Sequence, residues 1–144
     1  MHHFHSLKDF FELEHLLEPN KAEYLGAHLI IDLWTYIGDE NLCDITFMER
    51  IMKEAAKISG ATVLSSKMHE FGVGCGVTGV VVLSESHISV HTWPEKGYAA
   101  FDIFMCGKCD PSYAMKHIVK SLNAKKYTAI PLYRGMETEN LKLL

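Results

Sequence analysis

Reactive side chains are concentrated in one part of the sequence, between residues 84 and 109. They are Ser84, Glu85, Ser86, His87, Ser89, His91, Cys106 and Cys109. Serine and cysteine act as nucleophiles or acids, and an imidazole with a pKa near neutrality is a common proton acceptor. This stretch therefore indicates either a metal site, a hydrolytic nucleophile or another reaction at a serine.

A zinc site is the first of these alternatives. His87 and His91 are four residues apart and Cys106 and Cys109 three apart, and together they supply four ligands of the kind zinc prefers. The sequence around the histidines alternates and is β-branched, which predicts a strand. Two residues four apart on a strand are about 13 Å apart, too far to bind one ion. The cysteines precede a helix that begins at Asp110, whereas a redox C-x-x-C motif begins its helix. We predict no metal site; stoichiometric metal in the purified protein would instead favour a zinc-binding interaction module.

A hydrolase is the second alternative. Ser86 would be its nucleophile, and either His87 or His91 would be the base. The sequence has no G-x-S-x-G motif and no obvious acid to orient the histidine. Residue types alone leave this alternative open.

Hydrophobic periodicity predicts the elements that position these residues. Asp44 is the predicted N-cap of an amphipathic helix that ends at Gly60, and Asp110 caps a second helix whose first turn contains Pro111. A glycine-rich loop is predicted over residues 68–76. Strands are predicted over residues 28–34, 61–66, 77–83, 87–93, 97–105 and 126–133.

These elements predict an α+β fold, a two-layer sandwich with one mainly antiparallel sheet and two helices on one face. The other sheet face is rich in apolar residues, which favours a homodimer. Leu7, Phe10, Leu13 and Leu17 follow a helical spacing that Pro19 ends. We therefore predict a helical N-terminal extension over residues 1–20 and a single domain over residues 21–144.

Composition limits the partners and the location. The chain has 144 residues, a formal net charge of −4 and a pI of about 6.1, so it carries no basic surface for nucleic acid or for anionic membranes. No apolar stretch is long enough to cross a bilayer. Four cysteines without a recognisable export signal indicate free thiols and a cytoplasmic protein.

The reactive stretch also resembles a known family. Residues 83–95 (LSESHISVHTWPE) and 97–107 (GYAAFDIFMCG) are similar to the signature of the short bacterial and archaeal S-adenosylmethionine decarboxylases. The resemblance extends over about residues 25–135. Further matches, in the same order and spacing, lie at residues 26–29, 60–63 and 76–83.

The resemblance implies that the chain cuts itself. The hydroxyl of Ser86 would attack the carbonyl of Glu85 and convert the peptide bond to an ester. Thr78 would donate to the resulting oxyanion. His91 would then accept the α-proton of residue 86, so that the ester is eliminated and the chain is divided after Glu85. Residue 86 would finally become a pyruvoyl group, the cofactor of the family.

The resemblance also implies a catalytic apparatus. The pyruvoyl group at residue 86 would form a Schiff base with the amine of S-adenosylmethionine. Cys106 would donate a proton to the decarboxylated carbon, Glu95 would bind the ribose hydroxyls and Phe71 would stack on adenine. In the family, two subunits pair with their sheets facing each other in a four-layer αββα dimer, and each active site contains residues from both.

The sequence departs from the family pattern in the predicted substrate pocket. Glu70 stands where relatives usually carry a basic residue, and an acid there suits ornithine or arginine. The alternative is therefore a pyruvoyl-dependent ornithine or arginine decarboxylase, whereas Glu95 favours S-adenosylmethionine. A pseudoenzyme that binds or regulates without self-cleavage is a third hypothesis, which the presence of Ser86, His91 and Cys106 disfavours. We predict a decarboxylase that supplies the aminopropyl donor for polyamine synthesis.

Overall fold

The computed structural model describes residues 24–136, and the extension predicted over residues 1–20 lies outside them. Within the described residues, six strands and two α-helices follow one another along the chain. They are β1 (Gly26–Trp34), α1 (Ile45–Ile58), β2 (Val63–Glu70), β3 (Val77–Leu83), β4 (Ser86–Trp93), β5 (Tyr98–Cys106), α2 (Pro111–Ser121) and β6 (Lys126–Arg134). No helix between residues 24 and 136 is long and apolar enough to cross a membrane.

All six strands form one antiparallel sheet in the order β2-β3-β4-β5-β1-β6. Connections of two to six residues join β2 to β3, β3 to β4 and β4 to β5, so the reactive stretch runs through adjacent strands. β1 is inserted between β5 and β6. The two helices contact each other and lie on the same side of the sheet. The predicted α+β fold is confirmed.

Both predicted helix caps are present. The side chain of Asp44 accepts a hydrogen bond from the backbone N–H of Phe47 at 2.9 Å, and Asp110 accepts one from the N–H of Ser112 at 2.9 Å. Each cap satisfies a backbone donor that the first helical turn leaves unpaired. Gly60, with φ +84°, follows the end of α1. The two helices are thereby fixed at their starts, and their apolar sides form the core with the sheet.

The second strand extends beyond its predicted bounds. It runs from Val63 to Glu70 rather than over residues 61–66, so the start of the predicted loop belongs to the strand. Glu70 pairs with Val77 of β3, and this pairing keeps the chain extended despite the glycines that follow. The loop is therefore residues 71–76. Local composition predicted a longer loop because it contains no information about the pairing strand.

The sheet face away from the helices, called the open face below, is only partly buried. Its side chains alternate along each strand with those of the core. It carries several large apolar residues that are between 37 and 48% exposed: Ile30, Val82, Trp93, Ile130 and Leu132. A surface of this kind agrees with the predicted pairing of two subunits, which itself remains a prediction.

Candidate active site

The turn between β3 and β4 contains backbone strain. Leu83 pairs with Ser86, so only two residues connect the strands. Ser86 has φ +137°, a conformation that residues with a side chain rarely adopt and that costs about 1 to 3 kcal/mol. Among residues 24–136, only one other non-glycine residue, Asn123, has a positive φ. The strain is thus located next to the Glu85–Ser86 peptide bond, at which self-cleavage is predicted.

This strain has a measurable consequence. Replacing Ser86 with glycine is expected to give a protein more stable than the Ser86→Ala variant by about 1 kcal/mol, since glycine accepts the positive φ but is more flexible when unfolded. Urea unfolding of the two uncut variants measures the difference. An alanine variant as stable as the glycine variant would show that residue 86 is not strained.

The carbonyl of Glu85 receives a hydrogen bond from the neighbouring strand. The backbone N–H of Cys106 donates to the Glu85 oxygen at 2.9 Å. The pairing of Ser86 with Met105 across β4 and β5 brings these groups together. A backbone N–H fixed in this position stabilises negative charge on the carbonyl oxygen when its carbon is attacked.

The same turn is bound on its other side to the segment before β2. The backbone N–H of Ser84 donates to the carbonyl of Thr62 at 3.0 Å. In return, the N–H of Thr62 donates to the Oε2 atom of Glu85 at 2.9 Å. The reactive turn is therefore bound on two sides, to Thr62 and to Cys106.

Two thiols lie beside this turn. Cys106 ends β5 and is half-buried, and Cys109 follows in the loop that leads to α2. Burial raises the pKa of the Cys109 thiol, and the nearby charges of Glu85 and Cys106 raise it further. Cys109 thus stays protonated at neutral pH.

His91 and Thr78 form a second polar group, on the open face. They pair across β3 and β4, and the Oγ1 atom of Thr78 lies 2.7 Å from Nδ1 of His91. When Nδ1 carries the proton and donates it to Thr78, the lone pair of Nε2 is available to accept a proton. Thr78 therefore contacts the predicted base, and in the same chain it does not contact Glu85.

The two groups are well separated within one chain. His91 lies five residues after Ser86 on the extended β4, a distance of about 16 Å along the strand. The structure thus brings Ser86, Glu85 and Cys106 together and places His91 with Thr78 elsewhere on the sheet.

The predicted substrate residues lie near the end of the sheet that carries His91. Phe71 is 64% exposed, and its ring contacts that of His69 edge-on, with centroids 4.9 Å apart. Glu70 precedes it, and Glu95 lies in a short 3₁₀ turn after β4. The backbone N–H of Val77, which directly follows the loop, donates to Oγ1 of Thr92 at 2.7 Å, so the loop lies near the end of β4 that leads to Glu95.

An aromatic row that the sequence did not predict borders His91. Trp93 of β4 stacks on Tyr98 of β5 at 5.2 Å, and Tyr98 lies 5.4 Å from Trp34 of β1. Burial, aided by a hydrogen bond to Asp32, raises the pKa of Tyr98 to about 12. The aromatic residues were visible in the predicted strands, but the position of β1 next to β5 was not.

A histidine–aspartate pair occupies the open face nearer the reactive turn. Nε2 of His28 lies 2.9 Å from Oδ1 of Asp102. Burial, followed by the charge of His28, lowers the pKa of the neighbouring His87. His87 is therefore largely neutral at neutral pH.

The described part of the chain contains no group of three or more His, Cys, Asp or Glu side chains that could hold a metal ion.

The site combines three features on one antiparallel sheet: a strained Glu–Ser turn, an N–H directed at the carbonyl of its glutamate, and a nearby thiol. This combination is typical of proenzymes that cut their own chain at a serine. The family model described as S-adenosylmethionine decarboxylase matches residues 27–135, and the chain belongs to this family.

Relatives and a solved structure support this assignment. The chain is 45% identical over 116 residues to the S-adenosylmethionine decarboxylase proenzyme of Thermotoga petrophila, which covers 80% of this chain and 88% of the relative. It is 45% identical over 122 residues to that of Methanococcus maripaludis, with 82% and 97% covered. The crystal structure of the adenosylmethionine decarboxylase from Aquifex aeolicus has a TM-score of 0.72 at 33% identity and covers 84% of this chain and 99% of its own.

Proposed function

We propose that this protein decarboxylates S-adenosylmethionine, after cutting its own chain between Glu85 and Ser86, and so supplies the aminopropyl donor for polyamine synthesis. The observation that carries the proposal is the strained Ser86, together with the hydrogen bond that the Glu85 carbonyl accepts from Cys106. The relatives described above are named for S-adenosylmethionine. This favours the nucleoside substrate over ornithine or arginine.

The first step of processing is an acyl shift at the reactive turn. The Oγ atom of Ser86 attacks the carbonyl carbon of Glu85, a C–O bond forms, the amide C–N bond breaks and the released amine takes up a proton. Relief of the strain at Ser86 favours this step. The N–H of Cys106 stabilises the charge that develops on the carbonyl oxygen.

The second step needs a base that the same chain does not bring close. His91 removes the α-proton of residue 86, the bond between Cβ and the ester oxygen breaks, and Glu85 leaves as a carboxylate. Because about 16 Å of β4 separate these residues within one chain, we propose that His91 and its partner Thr78 act on the turn of a second copy. The exposed apolar residues of the open face support a dimer of this kind.

The elimination leaves a dehydroalanine at residue 86, and its imine tautomer takes up water and releases ammonia. Residue 86 then begins the second chain as a pyruvoyl group. Such a group supplies an electron-poor carbonyl that binds the substrate amine and accepts the electron pair released with carbon dioxide. The site fits it because Cys106 lies on the adjacent strand, next to the partner of Ser86 in the ladder. We propose that the thiol of Cys106 returns a proton to the substrate carbon.

Replacing Cys106 with alanine separates the two roles of this residue. The backbone N–H remains, so cleavage is expected to proceed, whereas decarboxylation is expected to fall by about 10²- to 10⁴-fold because the acid is lost. Mass spectrometry measures cleavage, and carbon dioxide release measures decarboxylation. The matched control is Cys109→Ala, for which both should stay near the wild-type values. Undiminished decarboxylation by Cys106→Ala would show that the proton comes from another group.

The substrate is bound, in this proposal, by the last residue of β2, the loop that follows it and the turn after β4. Phe71 stacks on adenine, for which its exposed ring is available. Glu95 accepts hydrogen bonds from the ribose hydroxyls. Glu70 adds negative charge beside a substrate that carries a sulfonium cation.

Replacing Phe71 with alanine is expected to raise KM for S-adenosylmethionine about tenfold, the loss expected for one base–aromatic stack, and to leave self-cleavage unchanged. Steady-state decarboxylation by the processed variant measures this KM. Val73, a fully exposed apolar residue of the same loop, provides the control. An equal KM for Phe71→Ala and Val73→Ala would remove Phe71 from the adenine site.

The proposal also covers the domain organisation of the chain and the cellular location of the protein. Within residues 24–136, one sheet and one core include every strand from β1 to β6, which supports a single domain over this part of the chain. All four cysteines are free thiols, which supports a cytoplasmic location.

The direct test of the activity is carbon dioxide release from carboxyl-labelled S-adenosylmethionine, ornithine and arginine by the purified, processed protein. Release from S-adenosylmethionine alone is the expected result. Release from ornithine or arginine alone would contradict the proposed substrate, and release from none of the three by a fully processed protein would contradict the proposed activity.

A further inference from the structure

We propose that the side chain of Glu85 is a positioning residue for self-cleavage, because its hydrogen bond to Thr62 holds the reactive turn in its strained form. The inference rests on the proposed function and extends it. Cleavage uses the backbone carbonyl of Glu85, and the reaction itself has no need of the carboxylate. The structure nevertheless gives this carboxylate a specific partner.

The bond to Thr62 takes the place of a missing ladder bond. The pairing of β2 with β3 reaches Val63 and Leu83, and the N–H of Ser84 continues it by donating to the carbonyl of Thr62. An antiparallel ladder would supply an acceptor for the N–H of Thr62 from the same strand. The chain turns away at this point, and Oε2 of Glu85 becomes the acceptor at 2.9 Å.

Three hydrogen bonds therefore bind the two residues of the turn. Thr62 binds the N–H of Ser84 and the carboxylate of Glu85, and the N–H of Cys106 binds the carbonyl of Glu85. The Glu85 side chain is thus held by the segment before β2, and the Glu85 carbonyl is held by β5. Rotation of the peptide group that would relieve the positive φ of Ser86 must break at least one of these bonds.

The effect is expected in the cleavage rate rather than in stability. Thr62 and the bond itself are exposed to solvent, and exposed hydrogen bonds of charged groups contribute little to folding. An attack geometry, in contrast, is sensitive to small displacements. Loss of the bond should therefore slow the acyl shift while the melting temperature stays the same.

Three substitutions separate the reach of the side chain from its charge. Glu85→Gln keeps the length and an acceptor oxygen but removes the charge. Glu85→Asp keeps the charge but is one methylene too short for Thr62. Glu85→Ala removes both. Glu40→Ala, which removes an exposed glutamate from a 3₁₀ turn distant from the site in sequence, is the control.

Cleavage is followed by mass spectrometry after cell-free synthesis of the full chain, and melting temperatures are compared in the uncut Ser86→Ala background. Glu85→Ala and Glu85→Asp are expected to cleave about tenfold more slowly than wild type, Glu85→Gln within about twofold, and Glu40→Ala at the wild-type rate. Melting temperatures are expected to be equal.

Three results would overturn the inference while the wild-type chain still cleaves. The first is a wild-type rate for Glu85→Ala. The second is a fast Glu85→Asp with a slow Glu85→Gln, which would assign the effect to charge. The third is a lower melting temperature that accounts for the slow variants. A wild-type chain that never cleaves would instead contradict the proposed function, so the two failures are distinguishable.

Discussion

The Ser86→Ala variant is expected to stay a single full-length chain and to lose decarboxylase activity by about 10⁴-fold or more. The substitution removes the oxygen that attacks the Glu85 carbonyl and the atom from which the cofactor carbonyl is made. Alanine is as strained as serine at φ +137°, so the turn keeps its strain and only the hydroxyl is lost. Gel electrophoresis and intact mass measure cleavage, and carbon dioxide release measures activity.

A second serine on the same strand provides the control for this prediction. Ser89→Ala removes a hydroxyl from β4 without touching the turn, and it should cleave and decarboxylate as the wild type does. Cleavage of Ser86→Ala at the Glu85 bond would show that another group is the nucleophile.

The His91→Ala variant is also expected to remain without cofactor, because the base for the elimination is lost. Cleavage should recover when His91→Ala is co-expressed with Ser86→Ala, although neither variant is processed alone. In a mixed dimer the intact Ser86 of one chain meets the intact His91 of the other, so only the chain with the His91→Ala change is cut. Random pairing gives cleavage of about half of these chains.

The masses of the products identify which chain was cut. The fragment that begins at residue 86 should carry alanine at position 91, and the Ser86→Ala chain should stay whole. No cleavage in the mixture would contradict a base supplied by a second copy. Normal cleavage of His91→Ala alone would show that His91 is not the base.

Local features of the fold were predictable from the sequence because their causes are local. Asp44 and Asp110 cap the two helices as predicted, since a capping side chain bonds to residues two or three positions away. The strands over 77–83 and 87–93 were placed to within one residue because the first is rich in β-branched residues and the second alternates between polar and apolar residues. The extension of β2 to Glu70 was missed because it depends on pairing with β3.

The geometry of the site was less predictable because it depends on strand register. The sequence places Glu85, Ser86 and Cys106 in one stretch, but nothing local indicates that the N–H of Cys106 points at the carbonyl of Glu85. The hydrogen bond between Glu85 and Thr62 was not predictable for the same reason, because strand pairing brings together two residues that are 23 positions apart. The distance between His91 and Ser86 follows from the predicted strand, since five extended residues separate them. The structure adds that Thr78, the other predicted processing residue, lies beside His91 and away from the turn, which supports a base from a second copy.

The stacking of aromatic residues on the open face was also not predictable from the sequence. Trp34, Trp93 and Tyr98 were visible in three predicted strands, yet their stacking requires β1 to lie beside β5. Strands distant in sequence pair through contacts that periodicity does not encode.

The intact mass of the denatured, reduced protein tests self-cleavage most directly. We predict two chains, of 85 and 59 of the 144 residues, with the shorter one lighter by one ammonia than a chain that begins with serine. A single uncut chain that persists through long incubation would contradict self-cleavage. A 59-residue chain that begins with an unmodified serine would contradict the proposed processing as well, because ordinary hydrolysis of the Glu85–Ser86 bond produces no cofactor.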